Sequence, residues 1–113
     1  SLVKIELESE ADKLKIESEA EMEIYKVVQE ALMNIIKHAK AENVEIHIGI
    51  IDEEFQVIIE DDGRGFDIEN TRNGLGMSNM QSRIEKLKGK LIIDSKLGRG
   101  TSIIAEIPYK QLI

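Results

Sequence analysis

Residues 44–61, "VEIHIGIIDEEFQVIIED", place two β-branched runs, 44–51 and 54–61, on either side of Asp52 and Glu53 alone. Two residues leave no room for a crossover, so the runs must pair antiparallel as a hairpin. That junction fixes strand direction in the middle of the chain. Before it, residues 2–8, "LVKIELE", alternate apolar and charged, the pattern of a half-buried strand. From 18 to 41 the period changes to that of a helix, with Ile24, Val28, Ala31, Leu32, Ile35 and Ala39 recurring at three- and four-residue steps. After the hairpin comes a polar, glycine-bearing stretch to Gly76, then a second helix over 77–88 with "SNMQ" as a capping box and Gly89 as its stop. Two further strands, 91–96 and 101–108, flank the turn "LGRG". This order makes an α+β domain: a mostly antiparallel sheet with helices packed on one face.

The bulk numbers bound what such a domain does. At 113 residues, 42% of them hydrophobic, the chain holds enough apolar material for one core, and residues 1–113 read as a single domain. With no cysteine, disulfides and thiolate metal sites are excluded, which suits a reducing, cytoplasmic setting. A formal charge of -7 argues against nucleic acid or a membrane surface as partner. No run has the length of a membrane span, and the first residues lack a secretory pattern.

Polar residues in the long helix carry the first functional signal. At about 100° per residue, Glu30, Asn34 and Lys37 fall within a wedge of roughly 60° away from the stripe through Val28, Ala31 and Ile35. A solvated face accounts for Glu and Lys, but Asn competes with the helix backbone and prefers caps and turns. One reason for a mid-helix Asn is a hard cation, whose shell an amide oxygen joins alongside waters and phosphates. Glu30 would then orient or deprotonate a nucleophile, and Lys37 would meet phosphate charge.

Glycine carries the second signal. "DDGRG" (61–65), "GLGM" (74–77) and "GRGT" (98–101) each adjoin an expected strand or helix end, as if backbone approached one ligand from several sides. No P-loop pattern occurs, Asn79 stands where a dinucleotide fingerprint needs its third glycine, and Asp61, Asp62 and Gly63 break the spacing of an EF-hand. What remains is a strand delivering Asp61 to a pocket rim where Gly63 and Gly65 leave room for a flat ring. A carboxylate only accepts hydrogen bonds, so a buried Asp61 can specify an exocyclic amino group such as that of adenine. The start of the second helix, at Gly76, Met77 and Ser78, would face phosphates.

Taken in order, "EALMNIIKHA" (30–39), "DDGRGF" (61–66), "GLGM" and "GRGT" resemble the four nucleotide-binding boxes of the gyrase, chaperone, histidine kinase and mismatch-repair ATPase superfamily. "VVQEALMNIIKHA" and "GLGMSNMQSRIEKLKGKL" are most similar to sensor histidine kinases paired with helix-turn-helix response regulators. The resemblance implies a two-layer α/β sandwich, a five-stranded mixed sheet with about three helices on one face, the third in or beside a lid over 66–76. It implies ATP and Mg²⁺ as cofactors, Asn34 as magnesium ligand, Glu30 as the acidic residue beside it, and Lys37 on phosphates with His38 near the nucleotide. Asp61 would accept the adenine amino group, Gly63 and Gly65 would shape its pocket, Gly74, Gly76 and Met77 would close the lid, and Thr101 would line the adenine side. The implied reaction is γ-phosphoryl transfer to a histidine on a separate dimerisation domain, with a response regulator downstream. His38 and His47 read as packing or rim residues, so the acceptor lies elsewhere and the chain reads as the catalytic domain of a larger kinase. An anti-sigma serine kinase and a non-catalytic nucleotide-binding module are the alternatives.

Overall fold

The computed structural model describes residues 3–65 and 77–113. The expected hairpin forms from β2 (Asn43–Ile51) and β3 (Glu54–Asp61), paired antiparallel from Val44↔Asp61 to Ile51↔Glu54. β1 (Lys4–Ser9) joins one side of it, while β5 (Thr101–Pro108) and β4 (Lys90–Ser95) complete the other, giving the order β1-β2-β3-β5-β4. Only the β1–β2 pairing is parallel, so the sheet is mixed and mostly antiparallel.

Two α-helices lie among the described residues, α1 (Ser18–Asn34) and α2 (Met77–Lys86). Alternate residues of β3 and β5, among them Phe55, Ile59, Ile103 and Ile107, point to one side of the sheet and are buried. Ala20, Ile24, Val27 and Ala31 of α1 and Met77, Met80 and Ile84 of α2 cover them. The alanines leave little bulk between α1 and the strands. A charged contact joins the helices at their edges: Arg83 Nη1 lies 3.1 Å from Glu23 Oε1, and Lys86 Nζ 3.5 Å from Glu23 Oε2.

Four expectations change in detail. β1 is exposed along its length, not half-buried: it is an edge strand with a neighbour on one side only, and Ile5 and Leu7 remain 46% and 64% exposed. The long helix ends as α-helix at Asn34 and continues as a π-helical turn, Ile35–Ala39, before Lys40 turns left-handed at φ 53°. Ser78 and Gln81 lie inside α2, where Gln81 Nε2 donates to Glu85 Oε1 at 3.0 Å, one turn on, so Gln81 serves an i,i+4 pair. Gly89 is not the left-handed residue that stops α2; Lys88 is, at φ 64°. Lys88 N donates to Glu85 O and Gly89 N to Ile84 O, the two bonds of a Schellman ending. Glycine stands at 89 for space, since a Cβ there would press on Ile107, Ile84 and the Glu106 carbonyl. The third helix, with the lid at 66–76, lies outside the described residues.

The hairpin junction also uses left-handed backbone at two side-chain-bearing residues, Asp52 (φ 50°) and Glu53 (φ 67°). Such a conformation crowds Cβ at a cost of roughly 1–2 kcal/mol per residue, least for Asp and Asn. Glu53→Gly and Lys88→Gly should therefore each raise unfolding free energy by about 0.5–1 kcal/mol, after the extra entropy of a glycine in the unfolded chain. Urea denaturation of the single variants checks this; unchanged or lower midpoints at both positions would contradict it.

Candidate nucleotide site

At its C-terminal end β3 delivers Asp61 beside Thr101, its register partner at the start of β5. α1 crosses above this edge with Asn34 and His38, and α2 begins next to it at Met77. Between them lies a small hollow of about 20 Å³, walled by Ala31, Ile35, Ala39, Met80 and Ile103 with Asn34, His38, Asp61, Met77 and Thr101. Apolar groups dominate the wall, and the polar atoms are few.

Asp61 is the strongest of them. Its Oδ1 accepts the Gly63 amide at 2.7 Å. Its Oδ2 is buried and has no hydrogen-bond partner. Burial raises the Asp61 pKa above the ordinary carboxylate value, against the pull of the Gly63 amide; the neighbouring Asp62 charge adds to the rise and the Thr101 amide opposes it. A buried acceptor oxygen without a donor costs free energy until one reaches it.

Asp62, one residue on, turns the other way. Its Oδ1 accepts the backbone amides of Glu42 and Asn43, both at 2.9 Å, and its Oδ2 accepts Asn43 Nδ2 at 2.8 Å. These donors lower its pKa, the Asn43 backbone amide foremost. Asp62 thus clamps the entry to β2.

The glycines that follow serve close backbone packing. A Cβ on Gly63 would collide with the Ala39 carbonyl and one on Gly65 with the Lys96 carbonyl; Gly65 also holds φ 66°. Gly100, at φ 77°, packs in the same way on the carbonyl of Asp61. Arg64 seals the junction. Its amide donates to Ala39 O and its Nε to His38 O, both at 2.6 Å, and its carbonyl accepts Gly98 N at 2.5 Å. A cationic group on the last carbonyls of a helix also opposes the negative end of the helix dipole. Ser95 Oγ and Thr101 Oγ1, buried and 2.8 Å apart, fix the far side.

Of the residues singled out from sequence, Asn34, His38, Asp61, Met77 and Thr101 meet at the hollow. Glu30, half-buried, lies one turn before Asn34 on α1, and Lys37 is exposed on the π turn; neither lines it. Gly63 and Gly65 act behind Asp61, and Gly74 and Gly76 lie outside the described residues. Sequence reasoning missed Met80, Ile103 and Arg64. Met80 follows Met77 by one helical step and Ile103 follows Thr101 by one strand repeat, so periodicity carried both. Arg64 bonds a segment 26 residues away, which no local pattern signals.

Comparison with known proteins places the fold in a family. Residues 19–111 match the family model of histidine kinase-, DNA gyrase B- and HSP90-like ATPases. Over 73 residues, 64% of this chain and 19% of the relative, it is 42% identical to the signal transduction histidine-protein kinase/phosphatase DegS of Brevibacillus brevis. The Bacillus subtilis DegS is 32% identical over 77 residues, 65% of this chain and 20% of the relative. The chain thus spans about a fifth of the length of these curated relatives. Among solved structures, the blue-light activated histidine kinase of Erythrobacter litoralis EL346 superposes with a TM-score of 0.84 at 23% identity, over 98% of this chain and 36% of that one, a likeness of fold. A family match across most of the chain, laid over a hollow that joins the Asn34 box to the Asp61 box, makes this chain a member of the histidine kinase-, DNA gyrase B- and HSP90-like ATPase family.

Proposed function

We propose that this domain binds Mg²⁺–ATP and transfers its γ-phosphoryl group to a histidine on a separate dimerisation domain, in a two-component pathway whose response regulator lies downstream. The observation that carries the reading is the unpartnered Oδ2 of Asp61 in an apolar-walled hollow shared with Asn34. The adenine amino group is a donor of the right kind for that oxygen, and the purine faces suit Met77, Met80 and Ile103. The named relatives are histidine kinases, which favours this reading over a serine kinase or a non-catalytic module. Such a domain would work in the cytoplasm, where ATP is.

The donor set on α1 fits a hard cation. Asn34 would offer its amide oxygen, with Glu30 one turn away to orient ordered water. Bound Mg²⁺ supplies charge neutralisation at the phosphates. Lys37 would add positive charge from the π turn, and Met77, Gly74 and Gly76 would close over the nucleotide. In the transfer, the bond from γ-phosphorus to ADP breaks as a phosphorus–nitrogen bond forms on the acceptor imidazole. The imidazole proton passes to Glu30 or to water. Positioning and charge supply most of the catalysis in such a reaction.

Three outcomes are expected. Asp61→Asn, which sets an amide donor against the adenine donor, should weaken ATP about 10–100-fold, the worth of a hydrogen bond to a charged group. Asp62→Asn should leave affinity within about threefold but lower the melting temperature, since its bonds hold β2. Calorimetric titration and thermal melts of both variants check this, and equal affinity losses would remove Asp61 from its role.

Second, Asn34→Ala should abolish magnesium-dependent phosphorylation of an added histidine-bearing dimerisation domain from labelled ATP while the fold persists. Transfer at the wild-type rate would clear Asn34, and phosphate appearing on serine would redirect the reading to a serine kinase.

Third, stability should depend on pH through Asp61. Because its folded pKa is raised, the ionised carboxylate destabilises the ligand-free fold: stability falls as pH rises from the ordinary carboxylate pKa through the raised one. Asp61→Asn removes that fall. Its stability relative to the wild type should be greater at pH 7 than at pH 3.5, read from urea midpoints; a gap that does not widen with pH would contradict the assignment. Asp62 acts oppositely, its contribution present above the ordinary carboxylate pKa and lost as pH falls through its lowered one.

A further inference from the structure

The sheet face away from the helices carries a second constellation, unrelated to the nucleotide site. Glu45 and His47 stand two residues apart on β2, alternating with buried Val44 and Ile46, so they point away from the core. Register sets Glu60 of β3 directly opposite Glu45, and Glu8 and Glu6 of β1 opposite His47 and Glu45. The ligating atoms of Glu45, His47 and Glu60 all lie within 4.8 Å of one another. His47 Nε2 is 3.5 Å from Glu45 Oε2, and on the other side of the ring Nδ1 is 3.5 Å from Glu8 Oε2.

We propose that Glu45, His47 and Glu60 form a binding site for one divalent cation of the zinc class, with Glu8 as the positioning residue that holds the His47 ring. Three features of the cluster carry this. The first is the like-charge pair Glu45–Glu60, an arrangement that destabilises a sheet when nothing lies between the charges. Lys4, the nearby cation on this face, lies 3.3 Å from Glu6 and is thereby engaged. The second is distance. A tetrahedral ion with bonds of about 2.0–2.1 Å spaces its ligands about 3.3 Å apart. The Nε2–Oε2 separation of 3.5 Å already meets that spacing, and the Glu60 side chain, exposed and free to rotate, needs to close only the remainder. The third is the order of groups around the imidazole. A metal-bound histidine offers one nitrogen to the ion and donates from the other to a carboxylate that fixes its tautomer. Nε2 toward Glu45 and Nδ1 toward Glu8 reproduce that order.

The donor types select the ion. An imidazole with two carboxylates suits zinc or a neighbouring transition metal, whereas magnesium takes oxygen ligands and keeps its waters. Three protein ligands leave a further position for water or for a group from another molecule. Because β1 contributes Glu8 and β2 and β3 the ligands, a bound ion would also tie the exposed edge strand to the central hairpin.

Titration of the nucleotide-free protein with zinc chloride tests the site, using calorimetry and thermal melts in parallel. We expect one Zn²⁺ per chain, bound at least about 100-fold more tightly than Mg²⁺, with a melting temperature that rises as zinc is added. His47→Ala and Glu60→Gln should lose both effects, and His38→Ala should keep them. Glu8→Gln should weaken zinc about 10–100-fold without changing the stoichiometry, as the loss of a carboxylate behind a ligating ring does. These side chains are on the surface, so metal-free His47→Ala and Glu8→Gln should melt like the wild type, and metal-free Glu60→Gln, relieved of the facing Glu45 charge, no lower than it, which separates lost ligation from lost folding. Absence of saturable binding, or the same zinc affinity in His47→Ala, would overturn the proposal.

Discussion

The site depends on backbone meeting backbone. Residues 61–65 leave β3 between the π turn that ends α1 and the turn joining β4 to β5, and at each contact a carbonyl oxygen occupies the place of a side chain. Gly63 rests on Ala39, Gly65 on Lys96 and Gly100 on Asp61. Arg64 converts this proximity into fixed geometry through bonds to His38, Ala39 and Gly98. Three segments distant in sequence are thereby held at one depth, with Asp61 and Asn34 on the same hollow. A methyl group at any of the three glycines would force these segments apart against those bonds.

Adjacent aspartates then divide between fold and site. Asp62 has donors on both oxygens and a lowered pKa, the state of a carboxylate that stabilises what surrounds it. Asp61 has one oxygen satisfied, one buried without a donor, and a raised pKa. The first is a structural clamp and the second a stored cost, which a ligand bearing a matched donor repays on binding. Because the strand period sends neighbours to opposite faces, the two roles fit on consecutive residues without interference.

Local chemistry made much of this legible in advance. The two-residue junction at Asp52 and Glu53 fixed the central hairpin, apolar periodicity located both helices, and the polar row of the first helix pointed to Asn34, which lines the hollow. The features that escaped are those set by distant contacts. Nothing within "LVKIELE" says that β1 pairs parallel to β2 at the edge of the sheet and stays exposed; that is set by a partner more than 30 residues on. The π turn at Ile35–Ala39, whose His38 and Ala39 carbonyls accept bonds from Arg64, is invisible to helix periodicity, which runs through it unchanged. At the end of α2 the glycine signal was right about the stop and wrong about its conformation, since tight packing on Ile107 claimed Gly89 and left the left-handed turn to Lys88.

Charge sets the remaining constraint on a nucleotide partner. With a net charge of -7 and an acidic outer sheet face, the domain repels a polyphosphate at long range, so affinity must arise from groups at short range. In the function proposed above, the hollow would meet the nucleotide at its uncharged end, where apolar walls and the unpartnered Asp61 acceptor suit a flat ring with an amino group. The anionic tail would then fall to exposed Lys37 on the π turn and Lys40 just after it. Recognition by the base and tolerance of the tail is the division that such a charge balance favours.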